Sequence, residues 1–232
     1  MIKVLDYGFV RLVSYTQPTG AAADWSGDLE IVRNARVSFD SEWRTGEDEG
    51  KDSRLLGRLL RDHHTSPFEA MVFTFEVKAP IFVFRQWHRH RTWSYNEVSA
   101  RYSELPEEYY IPEALNPQTT SNKQGRDESH HIQGQDDSLH SMIRHSQNAF
   151  LLYKDLLDRG VSRELARTVL PLSTYSRMFA TVDLHNLLHF LRLRLHAHAQ
   201  YEIRVYAVAL LKLISPIVPV VAEHFRKEMS LD

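Results

Sequence analysis

The sequence predicts an α+β fold, a single mixed domain in which a β-sheet is flanked by helices and the second half is helix-rich. Three observations carry this. Stretches that alternate with period two or are rich in β-branched and aromatic residues occur near the N-terminus, at Met71 to Lys78 and at Thr174 to Val182. Apolar residues at helical spacing dominate after residue 140. No linker divides the chain into two hydrophobic halves and no internal repeat is visible, so 232 residues, 43% of them hydrophobic, read as one domain over 1–232.

The elements follow in order. Ile2 to Tyr15, rich in Val, Leu, Phe and Tyr, opens as a strand or hairpin. A polar loop near Gly20 to Gly27 leads to a short helix over Leu29 to Val37. Glu47 to Ser53 is charged and expected on the surface, and Leu55, Leu56, Leu59 and Leu60 then recur at helical spacing. After Pro67 comes the strand at Met71 to Lys78, and Pro80 sits at the start of a helix over Ile81 to Arg89. From Asn116 to Leu139 the only aliphatic residues are Ile132 and Leu139. Such a segment cannot offset its ordering entropy by apolar burial, so 116–139 is expected to be a mobile surface insertion that the fold can lose. Its His130-His131 pair suggests no site. Ser141 to Arg159 reads as a helix with Gly160 just past its end, and Ser162 as the N-cap of a short helix that stops before Pro171. Asp183 caps a helix to about Leu195. A last helical region, His198 to Lys227, is interrupted at Pro216 and Pro219.

Bulk properties exclude several classes. A net charge of −2 with 25% charged residues fits neither a basic polynucleotide binder nor an acidic disordered chain. Without cysteine there are no disulfides, thiolate-metal sites or cysteine nucleophiles. The N-terminus charges too early for a secretory segment and no apolar run spans a bilayer, so a cytoplasmic protein without membrane contact is expected. No glycine-rich dinucleotide turn or P-loop occurs.

The densest anomaly is Arg85 to Arg101, with four arginines against one glutamate. Arginines so close repel one another unless an anion or carboxylates lie between them, and the planar fork suits phosphate and flat heterocycles. Trp87, Trp93 and Tyr95 weaken the alternative of a solvated basic face. A second group comprises Arg167, Arg177, Arg192, Arg194 and Arg204. Arg194 lies among leucines, and a charge there needs a partner, either a carboxylate such as Glu202 or Glu97 or a ligand. Both readings stand at this level. Among the 13 histidines, His185 and His189 share one helical face, with His196 and His198 close behind. No glutamate completes a His-Glu-x2-His pattern, so no metal is expected.

Arg89-His90-Arg91, seven residues, then Ser99 resembles the signature of flavin-dependent thymidylate synthases, including the interior Ser94-Tyr95-Asn96-Glu97 and the trailing Arg101-Tyr102-Ser103. Four further stretches are similar to the same family and in its order. They are His64-Thr-Ser-Pro-Phe-Glu69, Phe82-Val-Phe-Arg-Gln-Trp87, Ala166-Arg-Thr-Val-Leu-Pro171 and His198-Ala-Gln-Tyr-Glu202. The similarity covers nearly the whole chain outside 116–139. It implies that family's fold, and reductive methylation of dUMP to dTMP. The carbon donor would be 5,10-methylenetetrahydrofolate and the hydride source FAD reduced by NADPH. It also implies a homotetramer with shared active sites, small-molecule partners and no nucleic acid.

The resemblance also implies roles. Ser66, Glu69, Arg89, His90, Arg91, Glu97, Asp183, His185 and His189 would contact FAD. Gln86, Trp87, Arg89, Glu97, Ser99, Ala100, Arg101, Arg167 and Arg194 would form the dUMP pocket, with Ser99 and Arg101 at the phosphate. Arg194 matches the catalytic arginine credited with polarising the uracil ring. The chemistry suits a chain without cysteine, which cannot add a thiolate to the pyrimidine. An arginine at the N3/O4 edge cannot take a proton, but it stabilises negative charge on the ring. Ser99 lacks an evident base, so binding is its expected role. His196, Asp183 and His185 depart from residues common in the family. Two other classes remain: an RNA- or nucleotide-binding module built on Arg89 to Arg101, and a metal-dependent hydrolase built on His185, His189 and His198. Neither accounts for five ordered motifs.

Overall fold

Five antiparallel strands form the sheet that carries the site, in the order β1-β2-β3-β5-β4. The computed structural model describes residues 1–19, 25–120 and 124–231. β1 (Ile2–Val4) and β2 (Gly8–Tyr15) are the opening hairpin. β3 (Val72–Pro80) runs through the middle, pairing with β2 on one side and β5 (Tyr175–Asp183) on the other. Alternation on β3 sends Phe73, Phe75, Val77 and Ala79 into the core, and β5 adds Met178, Ala180 and Val182 to the same buried cluster. On β3's other face Glu76 is also buried, and Arg11 Nε (2.8 Å) and Arg177 Nη1 (3.0 Å) satisfy it.

Helices cover the inner face. α1 (Gly27–Arg36) starts at Ser26, whose hydroxyl accepts from Leu29 N. α2 (Glu49–Arg61) packs its leucines inward, and α3 (Ser66–Glu69) is a single turn. Pro80 caps α4 (Ile81–Trp87), which leaves one end of the sheet. α5 (Asp136–Asp158) and α6 (Arg163–Ala166) share a smaller cluster around Phe150 and Tyr153. α7 (Leu184–Arg194) leaves the opposite end, its first turn capped by Asp183. α8 (Tyr201–Ile214) lies over the hairpin and α9 (Pro219–Met229) against α2. Tyr206 Oη on α8 donates to Lys78 O at 2.7 Å, and a Cβ at Gly8 would stand 2.1 Å from Tyr206 Oη. Only glycine admits this approach.

Among the described residues the expected elements are present, with four differences; residues 20–24 of the loop expected near Gly20 to Gly27 lie outside them. Ser94–Glu97 is a fourth strand in chain order, β4, paired to β5, rather than part of a basic stretch trailing a helix. α4 ends at Trp87, because Tyr95 Oη donates to the carbonyls of Trp87 (3.1 Å) and His90 (2.8 Å) and folds the chain back. The charged run Glu47 to Ser53 is not wholly exposed: Asp52 retains 4% exposure, taking Arg36 and the Gly46 N–H. A run of charges does not announce a buried partner sixteen residues away.

The fourth difference concerns 116–139. Asp136–Leu139 already belong to α5. The described arms of the segment face each other through Gln118↔Arg126, Ile132 N to Leu115 O and Asn116 Nδ2 to His130 O. Arg126 then pairs with Glu202 at 2.9 Å and Glu128 with Arg204 at 2.5 Å. The described contacts of the segment to α8 are thus polar rather than apolar, in keeping with its composition. Its residues 121–123 lie outside the described residues.

Trp87 needs a correction of its own. Expected in the nucleotide pocket, it has 0% exposure and cannot touch a ligand. Its ring meets Phe190 (4.9 Å between centroids), Trp93 (5.7 Å) and Tyr206 (6.1 Å), locking α4 onto α7 and α8. Replacing Trp87 by alanine is therefore expected to lower unfolding stability by about 3–5 kcal/mol, measured by denaturant titration.

Candidate active site

α4 and α7 start from opposite ends of the sheet and bring their C-terminal turns together. A helix C-terminus favours cations, and Arg194 occupies the last turn of α7. Its half-buried guanidinium donates from Nε to His90 Nε2 at 3.0 Å and from Nη2 to Gln86 O at 3.2 Å. The remaining N–H groups are left for a further acceptor. His90 is buried against Phe190, with 4.7 Å between ring centroids. Burial, the Arg194 charge and neighbouring His189 hold its pKa down at about 4. The imidazole is thus neutral near pH 7 and its Nε2 is a true acceptor. Burial likewise pushes Arg194 below the ordinary arginine value.

Around Arg194 lies an open depression of about 560 Å³ that gathers Arg89, His90, Arg91, His185 and His189. These are six of the expected site residues when Arg194 is included, drawn from two stretches a hundred residues apart. His185 and His189 share one face of α7, as their spacing predicts. Asp183 is engaged by Asn186, whose N and Nδ2 reach its two oxygens at 2.8 and 2.6 Å, so its observed task is capping α7.

A second cavity, about 360 Å³, opens on another face of α4 and is lined by Glu97, Ala100 and Arg167 together with Arg85, His88 and Ser176. Glu97 accepts from Ser176 Oγ at 2.7 Å. The chain then turns at Ser99, whose hydroxyl takes the Arg101 N–H at 3.3 Å and whose carbonyl takes the Tyr102 N–H at 3.0 Å. Arg101 pairs with Glu164 at 3.0 Å, both side chains more than half exposed, a contact weak enough to be exchanged for a ligand. Ser66 borders a third cavity of about 480 Å³ with His64, Arg58 and Phe39, and Glu69 accepts from Thr65 Oγ1 at 3.1 Å. Ten of the expected residues thus line three separate cavities of one chain, while Gln86, Ser99, Arg101, Glu69 and Asp183 line none of the three.

The question of ion pair or ligand for the arginines now divides. Arg177 pairs with Glu76, Arg192 with Glu228 and Arg204 with Glu128. Among the described residues, Arg85, Arg89, Arg91, Arg167 and Arg194 have no ion-paired carboxylate. Neither of the two carboxylates considered as partners pairs with Arg194: Glu97 accepts from Ser176 Oγ, and Glu202 is ion-paired with Arg126. Acid-free arginines thus line the first two cavities. Among the described residues, no group of three or more His, Asp or Glu side chains could hold a metal ion.

Sequence reasoning assigned no role to a network beside Gln86. Glu202, 2% exposed, accepts Arg126 Nη1 (2.9 Å) and Tyr110 Oη (3.1 Å) on one oxygen and Gln200 Nε2 (2.8 Å) on the other. Gln200 Oε1 in turn accepts Gln86 Nε2. The stretch His198 to Glu202 pointed to the place, but its partners lie far away in sequence.

Residues 12–220 match the model of the family described as thymidylate synthase complementing protein, Thy1. The flavin-dependent thymidylate synthase of Treponema denticola is 45% identical over 228 residues, covering 97% of this chain and 81% of the relative. That of Thermus thermophilus is 45% identical over 98% of this chain and 79% of its own length. Among solved structures, the UMP/dUMP methylase PolB from Streptomyces cacaoi bound with 5-Br dUMP superposes with a TM-score of 0.82 at 36% identity, over 97% of both chains. With this fold, this clustering of acid-free arginines and these relatives, the chain belongs to the flavin-dependent thymidylate synthase family.

Proposed function

We propose that the protein methylates dUMP to dTMP, with 5,10-methylenetetrahydrofolate as carbon donor and FAD reduced by NADPH as hydride source, releasing tetrahydrofolate. The observation that carries this reading is Arg194: a half-buried guanidinium without a carboxylate, aimed by His90 and Gln86 at the depression between α4 and α7. Such a group stabilises negative charge on a bound uracil ring and cannot itself take the N3 proton. Ring charge is what C5 needs in order to attack the methylene carbon when no cysteine is present to add to the pyrimidine.

The residues fit a flavin nucleotide. Its diphosphate calls for cations free of competing acids, and Arg89 and Arg91 are exposed, acid-free and beside His185 and His189. When bound and reduced, FAD supplies the hydride that completes the methyl group. Ser99, Arg101 and Arg167 hold the nucleotide phosphate in this reading, Gln86, Glu97 and Ala100 the rest of dUMP, and Ser66 and Glu69 the flavin. Arg194, Arg167 and Ser66 line three different cavities of one chain, so a site that uses all three draws on neighbouring copies, which supports the homotetramer. Phe39 beside Ser66 is 83% exposed, and Val37 and Trp43 are exposed nearby, apolar surface that a second copy would cover.

Purified protein given dUMP, methylenetetrahydrofolate and NADPH is expected to form dTMP only when flavin is present. Absence of product together with absence of bound flavin would refute the proposal. Arg194→Ala is expected to retain flavin absorbance and lose dTMP formation by at least about a hundredfold, the usual scale for removing a group that stabilises developing charge. Turnover at the wild-type rate would remove Arg194 from the mechanism.

His90 gives a pH signature. Its folded pKa of about 4 lies below the ordinary histidine value of 6.5, so the unfolded chain binds its proton first. Stability from this group is complete above about pH 6.5 and declines as pH falls toward 4. His90→Gln keeps an acceptor but removes the titration. Its unfolding midpoint is expected to drop less than wild type between pH 7 and pH 5, followed by thermal melts in matched buffers.

A further inference from the structure

We infer that Glu202 is a positioning residue that sets, through Gln200, the hydrogen-bonding polarity of Gln86, and that Arg126 from the 116–139 segment holds Glu202 in place for this task. The inference rests on the reading that Gln86 borders the nucleotide.

A carboxylate can only accept, so Gln200 must turn Nε2 toward Glu202, as it does at 2.8 Å. Its Oε1 then faces Gln86, which must answer with Nε2. One N–H of Gln86 is thereby spent, and its carbonyl oxygen and other N–H are left in a fixed orientation for a ligand. A glutamine side chain is nearly symmetric in shape and otherwise flips between two hydrogen-bonding faces; a buried carboxylate two residues along the network removes that choice. The same Gln86 supplies the carbonyl that aims Arg194, so side chain and main chain of one residue serve neighbouring parts of the site.

Glu202 is itself over-determined. Arg126 Nη1 and Tyr110 Oη converge on Oε1, leaving Oε2 to Gln200. Glu202→Gln would therefore keep its carbonyl oxygen toward Arg126 and Tyr110 and present an NH2 group to Gln200. Gln200 would have to turn over, and then Gln86. The substitution changes no shape but reverses every bond of the relay. Gln200→Leu cuts the same relay in the middle, and because Gln200 is exposed it spares the core.

The test is dUMP binding to the flavin-loaded protein by isothermal titration calorimetry, with melting temperature and flavin spectrum recorded alongside. Each single variant is expected to weaken dUMP binding about tenfold, one hydrogen-bond interaction's worth. The double variant is expected to lose no more than the weaker single, since both interrupt one path. Arg126→Ala belongs to the same non-additive set, and Arg126→Lys should recover part of its loss. Unchanged affinity in both singles, or losses that multiply in the double, would overturn the relay. A wild-type protein that binds flavin but not dUMP would instead overturn the functional reading beneath it, so the two failures are distinct.

Discussion

The arrangement depends on keeping one arginine charged, half-buried and without a carboxylate. Taking a guanidinium out of water costs several kcal/mol if nothing replaces the solvent. Arg194 recovers part of that from dipoles rather than charges: the C-terminal turn of its own helix, the carbonyl of Gln86 and the neutral imidazole of His90. Each accepts a hydrogen bond or offers partial negative charge without neutralising the cation. A glutamate in the place of His90 would stabilise Arg194 better and remove its capacity to stabilise anything else. The depressed pKa of His90 belongs to the same constraint, because a protonated imidazole would repel the guanidinium and offer it no lone pair.

Such an arrangement needs stiff support, and the aromatic cluster of Trp87, Trp93, Phe190 and Tyr206 supplies it. Trp87 stands next to Gln86, and Phe190 lies one helical turn before Arg194. The rings therefore fix the two backbones whose polar neighbours meet. Tyr95 Oη, capping the carbonyls of Trp87 and His90, closes the turn that carries Arg89 to Arg91. Hydrophobic packing and ligand geometry are here the same set of contacts, seen from inside and outside the core.

Much of this was legible in the chain, for identifiable reasons. Strands β2, β3 and β5 and helices α1, α2, α7 and α8 announce themselves by period and by caps such as Asp183. The arginine-rich stretch was conspicuous because its charge is unbalanced locally. What escaped were decisions made over long sequence distances. The family resemblance puts Trp87 in the pocket, and only the approach of α7 and α8, far along the chain, buries it. Asp52 looked exposed until Arg36 covered it. Residues 116–139 are poor in apolar side chains, and the contacts they make to α8, Arg126 to Glu202 and Glu128 to Arg204, are charge pairs that apolar content does not reveal. Composition records what a segment can bury, and says nothing about which distant carboxylate awaits it.

The fate of the second arginine group shows how function separates from structure within one residue type. Arg177, Arg192 and Arg204 each found a carboxylate and became parts of the scaffold. Arg167 and Arg194 did not, although acids were available: Glu97 lines the same cavity as Arg167, and Glu202 lies one glutamine away from Gln86. Those acids are held by Ser176, Tyr110, Gln200 and Arg126. The scaffold therefore does two things for the site at once. It presents cations, and it occupies the anions that would otherwise quench them. An arginine kept unpaired beside restrained carboxylates is poised to take its negative charge from a ligand, and the paired arginines elsewhere in the fold are the measure of what that restraint withholds.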